Sequence, residues 1–208
     1  MSIQNTYDEW SASYDADENR TRDLDREVTR SRLDGLHFES ILEIGCGTGK
    51  NTSFLAQIGQ HIHAVDFSEG MIARAREKVN AENVSFSMMD ITQPWKFENE
   101  SFDLIVCNLV LEHIQNLRPV FSEAASTLRP SGKFFVNELH PFRQYEGTKA
   151  RFFRSEKKIE VEAFVHHISD FLKVAEASHF VLVHLNEFWH ETDQNRPPRI
   201  LSMFFERR

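Results

Sequence analysis

From Ser40 onward short apolar runs alternate with helical stretches, and the first run breaks into LEIGCGTGKN, residues 42–51, with three of the chain's eight glycines in five positions. Ser40–Ile44 reads as a strand and Thr52–Ile58 as a short helix, with Gly59 as its C-terminal stop. The alternation continues with a strand at His61–Val65, a helix over Glu69–Asn80, strands at Val84–Met88 and Phe102–Cys107, a helix over Asn116–Leu128 and a strand at Lys133–Glu138. Strands separated by helices specify a parallel sheet covered on both faces, because right-handed crossovers place the helices there. Ligands of such sheets lie beyond the carboxyl ends of the strands.

The ends of the chain follow other rules. Near the start, a charge-rich stretch with Leu24, Val28, Leu33 and Leu36 predicts a helix from about Asp23 that closes near Gly35. After the fifth strand, residues 140–160 read as irregular and rich in Arg and Lys. Ser169–Ala177 then reads as a helix, and Phe180–Leu185 and Ile200–Phe205 as strands. Too few residues separate these strands for a packed helix, and Pro197 and Pro198 lie among them, so the pair is expected to be antiparallel. The result is an α/β chain with seven strands, mostly parallel, whose last strand runs against the others. At 208 residues and 40% hydrophobic content it has one substantial core and forms a single domain.

Three nucleotide-binding loops compete for LEIGCGTGKN. A phosphate-cradling P-loop needs glycine where Ile44 stands and Ser or Thr where Asn51 stands. A dinucleotide fingerprint needs its third glycine where this chain has Lys50. Glu43, Gly45, Gly47 and Gly49 instead resemble the E/D-x-G-x-G-x-G signature of class I S-adenosylmethionine-dependent methyltransferases, in the small-molecule, methyltransferase type 11 or ubiquinone-menaquinone methyltransferase-like branch. Four further stretches resemble that family in the same order: Ala64-Val-Asp66, Met89-Asp90-Ile91, Phe102 to Leu109 followed by Leu111-Glu-His113-Ile114, and Leu128-Arg-Pro-Ser-Gly-Lys133.

The resemblance implies a Rossmann-like sandwich and S-adenosylmethionine as cofactor, with S-adenosylhomocysteine as product. It divides the chain into an N-terminal helical lid (1–36), a cofactor-binding core (37–139), a substrate-side insertion (140–167) and a C-terminal helix and strand pair (168–208). It implies that the glycines let the backbone approach the methionine and ribose part of the cofactor, and that Asp66 binds both ribose hydroxyls, as a carboxylate can. Asp90 falls near the adenine amino group. Cys46, Phe67, Met71, Ile91, Asn108, Leu109 and Tyr14 complete the implied cofactor contacts, Asn108 and Leu109 through backbone atoms. Cys46 and Cys107 lack zinc-site spacing and are expected to be free thiols without chemistry.

Methyl transfer from a sulfonium needs alignment and exclusion of water, and a base where the acceptor must lose a proton. Histidine suits that task. The candidates are His140, at the end of the fifth strand, and His113, in the motif after the fourth; His166 and His167 are expected to point to opposite sides. Tyr7 and Trp10, in the lid, together with Arg143 and Tyr145, in the insertion, are candidate substrate contacts. Arg143, Lys149 and Arg151 suit a carboxylate or phosphate on the acceptor. The expectation is a small acceptor, anionic or aromatic.

Other classes fit less well. A net charge of −8 argues against a nucleic-acid partner. The place where base-directed amino methyltransferases carry Asn/Asp-Pro-Pro-aromatic reads Asn108-Leu-Val-Leu111. His61 and His63 share a strand face but lack a third ligand, so no metal is expected. With no leader or membrane span in view, the protein is expected to be cytoplasmic. A protein or RNA methyltransferase and a noncatalytic methyltransferase-like module remain as alternatives.

Overall fold

A computed structural model of the chain describes residues 2–154 and 157–208. Ser155 and Glu156, inside the insertion expected to face substrate, lie outside the described residues. The core begins with β1 (Phe38–Ile44), α3 (Thr52–Ile58) and β2 (Gly59–Asp66), preceded by two N-terminal helices, α1 (Ile3–Trp10) and α2 (Arg20–Leu33). It continues through α4 (Glu69–Lys78), β3 (Val84–Met88), β4 (Phe102–Asn108), α5 (Arg118–Thr127) and β5 (Leu128–Leu139). After α6 (Pro141–Tyr145), β6 (Arg151–Arg154) and β7 (Lys157–Glu160), the chain ends in α7 (Ile168–Ala177), β8 (Phe180–Phe188) and β9 (Ile200–Arg207).

Seven strands form one sheet in the order β3-β2-β1-β4-β5-β9-β8. The first five pair in parallel, and β9 runs against both β5 and β8. One apolar core lies between the sheet and α5 and α7, where Phe121 meets Phe134, Phe180 and Phe205 edge-on. The other packs Leu33 of α2, Phe54, Leu55 and Ile58 of α3, and Ile72 of α4 against Ile41, Leu104 and Phe135. Helices therefore cover both faces, as continuous apolar strands require.

Several boundaries differ from the sequence reading. α2 starts at Arg20 because the Asn19 side chain accepts the Thr21 and Arg22 N–H groups, a strong N-cap. Gly59 follows α3 but is extended rather than left-handed; a Cβ there would lie 2.7 Å from Ile41 Cδ1, so close packing demands the glycine. β5 begins at Leu128, and residues 129–132 bulge out of its register with β4 before Leu104 meets Lys133. Residues 140–160 are not irregular: Pro141 opens α6, and β6 and β7 pair as an antiparallel ribbon.

The sheet order reverses at β1 and β4. That reversal opens a crevice beyond their carboxyl ends, where the glycine loop stands.

Candidate active site

A cavity of about 520 Å³ fills this crevice, a volume typical of a cofactor pocket. Its floor is the glycine loop, tied to β2 by the Gly45 and Cys46 N–H groups, which both donate to the Val65 carbonyl. Gly45, Gly47 and Gly49 all have positive φ. Packing alone also excludes side chains at two of them, because a Cβ on Gly45 would lie 2.2 Å from Val110 and one on Gly49 2.7 Å from Val79. A Cβ on Gly47 meets no protein atom within 4 Å. Gly47 is thus the place where the backbone is bare toward open space.

Buried carboxylates surround this floor. Asp66 ends β2 and accepts the Gly47 and Ser68 N–H groups, each at 2.9 Å, linking the glycine loop to the start of α4. Burial raises its pKa to about 6 against the pull of those bonds. Glu43 accepts the Thr52 hydroxyl at 2.5 Å, and burial pushes it up to about 8. Asp90 is exposed and turns the chain by accepting the Thr92 N–H and hydroxyl. Cys46, Phe67, Met71, Ile91, Asn108, Leu109 and Tyr14 line the same cavity.

The lid is fastened across it. Gln4 donates to the Phe67 carbonyl, Asp8 accepts from the Ser68 hydroxyl and the Gly70 N–H, and Asp15 accepts from the Thr48 hydroxyl. Tyr7 reaches the cavity, where its hydroxyl lies 2.8 Å from His113 Nε2. His113 Nδ1 lies 2.8 Å from the Glu162 carbonyl, which can only accept, so Nδ1 carries the proton and Nε2 takes the Tyr7 hydroxyl's. Burial, with Tyr14, Glu112 and Asp66 nearby, holds the Tyr7 hydroxyl well above its ordinary pKa.

Beside this pair a second, smaller hollow of about 60 Å³ shares Tyr7, Tyr14, Arg22 and Leu109 with the cavity and is walled by Trp10, Glu112, Leu139, Thr148 and Lys149. Trp10 is 2% exposed, stacked on Tyr7 and edge-on to Tyr14, with its N–H on Asp17. It is a core residue of the lid more than a surface offered to a ligand.

Several candidates stand elsewhere. His140 is fully buried and lines neither hollow. Its Nδ1 accepts the Phe142 N–H as the cap of α6, so Nε2 donates to Glu187, and burial lowers its pKa. Both nitrogens are committed, which removes it as the base. Arg143, 3% exposed, pairs with Asp193 at 2.9 Å beside Arg199, an ion pair that joins α6 to the 190s loop, and it lines neither hollow. His166 is buried against the Ile114 carbonyl. His167 is exposed at the start of α7 beside the exposed Tyr145, whose hydroxyl it meets. His63 bonds Ser85 and Ser87, and among the described residues no group of three His, Cys, Asp or Glu is placed to hold a metal.

The site also contains residues that motif reading missed. Arg22, Asp25, Lys50 and Asn51 line the cavity. Arg22 sits 4.0 Å over the Tyr14 ring and donates to the Tyr14 and Asp17 carbonyls. The signal was the narrow apolar stripe of α2: a helix with so few apolar residues buries charged ones when it packs, and Arg22 and Asp25 are one turn apart.

A methyltransferase-domain family matches residues 42–136, the stretch that builds this floor. Residues 42–136 are a methyltransferase domain. The chain is 44% identical over 82 residues to the malonyl-[acyl-carrier protein] O-methyltransferase of Bacillus cereus, covering 38% of this chain and 30% of that protein. It is 26% identical over 157 residues to the demethylmenaquinone methyltransferase of Tropheryma whipplei, covering 75% and 62%. The chain thus spans less than two thirds of either relative's length. A solved structure of a putative S-adenosylmethionine dependent methyltransferase from Listeria monocytogenes superposes with a TM-score of 0.75 at 16% identity, covering 88% of this chain and 98% of that one. The fold is that of the class I S-adenosylmethionine-dependent methyltransferases, and the methyltransferase domain carries its glycine loop and Asp66.

Proposed function

We propose that the protein transfers a methyl group from S-adenosylmethionine to a small-molecule acceptor by in-line displacement. The observation that carries this reading is the meeting of the two hollows at Tyr7, whose hydroxyl bonds His113 of the larger one; one hollow is large enough for the cofactor and the other is sized for a few atoms of acceptor. The residues fit the cofactor: Gly47 is bare toward the cavity, Asp66 offers a buried carboxylate for the ribose, and Phe67, Met71 and Ile91 offer an apolar slot for adenine. When bound, S-adenosylmethionine supplies a methyl already activated by the sulfonium charge.

The chain contributes alignment and dryness. The lid closes the cavity through Gln4, Asp8 and Asp15, and holding the two reactants in line is worth up to about 7–11 kcal/mol in well-oriented systems. Where the acceptor must lose a proton, it passes from the acceptor to the Tyr7 oxygen as the Tyr7 proton passes to His113 Nε2. Lys149, at the edge of the smaller hollow, takes the anionic group that Arg143 was expected to hold. The acidic chain and the small acceptor hollow support a free small molecule over a nucleic acid. The two relatives are named for malonyl-[acyl-carrier protein] and demethylmenaquinone.

The test is transfer of labelled methyl from S-adenosylmethionine into a fractionated cell extract. Label is expected in the small-molecule fraction, with turnover reduced on the order of 100-fold by Tyr7→Phe or His113→Ala. Label confined to protein or RNA would contradict the small-molecule acceptor. Unchanged turnover in both variants would contradict the Tyr7–His113 relay.

A further inference from the structure

Asp25 of α2 is 4% exposed, yet it lines the cavity. Three asparagines converge on it: Asn51 at the end of the glycine loop, Asn108 at the end of β4 and Asn137 near the end of β5, with amide nitrogens 2.8–3.0 Å from its carboxylate oxygens. A carboxylate only accepts, so each amide must turn its NH2 toward Asp25. The amide oxygens are then left without partners: Asn51 Oδ1, Asn108 Oδ1 and Asn137 Oδ1 are buried and receive no donor. Nor does a cation balance the charge, since Lys50 pairs with Asp23 and Arg22 is held by the Tyr14 and Asp17 carbonyls. Among the described residues Asp25 has no ion pair.

This corner of the cavity has a surplus of acceptors, a negative charge and a shortage of donors. The complementary ligand group is a cation that only donates, and an ammonium carries three N–H bonds. We propose that Asp25 is the counter-charge for the α-ammonium of the cofactor's amino-acid end, with Asn51 and Asn108 as the wall that holds the carboxylate in place. The neighbouring acids have other roles: Asp66 holds the Gly47 and Ser68 N–H groups and keeps its remaining acceptor sites for the ribose, and Glu43 receives the Thr52 hydroxyl. The assignment rests on the cofactor reading and adds a residue to it from outside the family-matched segment 42–136.

The experiment titrates S-adenosylhomocysteine, and its deamino analogue in which hydrogen replaces the amino group, into wild type, Asp25→Asn and Asn51→Ala. Asn51→Ala leaves α3 intact, because Asn51 makes no side-chain cap bond. Asp25→Asn is expected to weaken S-adenosylhomocysteine at least tenfold and the deamino analogue less than twofold. Asn51→Ala is expected to weaken S-adenosylhomocysteine severalfold with the same selectivity, and it decides the matter if Asp25→Asn fails to fold by circular dichroism. Equal losses for both ligands, or no loss for either, would overturn the assignment while leaving the cofactor site standing. A folded wild type that binds neither ligand would overturn both.

Discussion

Glu43 is buried beneath the glycine loop with one hydrogen bond from Thr52 and, among the described residues, no ion pair. Burial lifts its pKa to about 8, whereas in the unfolded chain it titrates near 4.3. Between those values the folded chain holds a proton that the unfolded chain releases, so this group's contribution to stability is complete at low pH and is lost as pH rises through about 8. Glu43→Gln keeps an acceptor for Thr52 and removes the titration. The melting temperature of the cofactor-free variant, relative to wild type, is therefore expected to rise from pH 6 to about pH 8 and to level off above it; a constant difference would contradict a protonated Glu43. At this scale the positions of the glycine turn, Asp66 and Asp90 were legible because each stands at or just past the end of a strand, while their cofactor roles rest on the family resemblance. His140 and Arg143 were misread because a sequence does not show that Glu187 and Asp193, some 50 residues later, return to claim them.

The two N-terminal helices, grouped by the sequence as one lid, are fastened differently. α2 reaches the core through Asp25, Thr29 and Leu33 and is part of the site wall. α1 touches the cavity rim through Gln4 and Asp8, where Asp8 accepts from the Ser68 hydroxyl and the Gly70 N–H at the start of α4. Asp8→Ala removes two hydrogen bonds worth about 1 kcal/mol each and is expected to speed dissociation of S-adenosylhomocysteine on the order of tenfold or more, as followed by stopped-flow fluorescence. An unchanged dissociation rate would mean that α1 does not gate the cavity. The central strands β1, β4 and β5 were legible to within a few residues because burial on both faces writes their later halves as mainly apolar runs. α6 and the β6–β7 ribbon were not, because at five, four and four residues they are too short to show a periodic pattern.

The order β3-β2-β1-β4-β5-β9-β8 brings the glycine loop, Asp66, Asp90 and His113 to one edge of the sheet although 70 residues separate the first from the last. That convergence follows from parallel strands, which present all their carboxyl ends on one side, and it is why the place of the crevice was legible from the strand and helix alternation; the cofactor contacts came from the family resemblance. The smaller hollow was not legible, since Tyr7, Glu112 and Lys149 come from three segments that meet only through tertiary packing. Among the described residues no helix is long and apolar enough to cross a membrane. The central claim is that this edge binds S-adenosylmethionine through the glycine loop and Asp66, and calorimetric titration of S-adenosylmethionine and S-adenosylhomocysteine into wild type and Asp66→Ala tests it most directly. The account predicts binding of both ligands by wild type and a loss of roughly 1.5–3 kcal/mol in the variant, the worth of hydrogen bonds to a charged group. A folded wild type that binds neither ligand would contradict it.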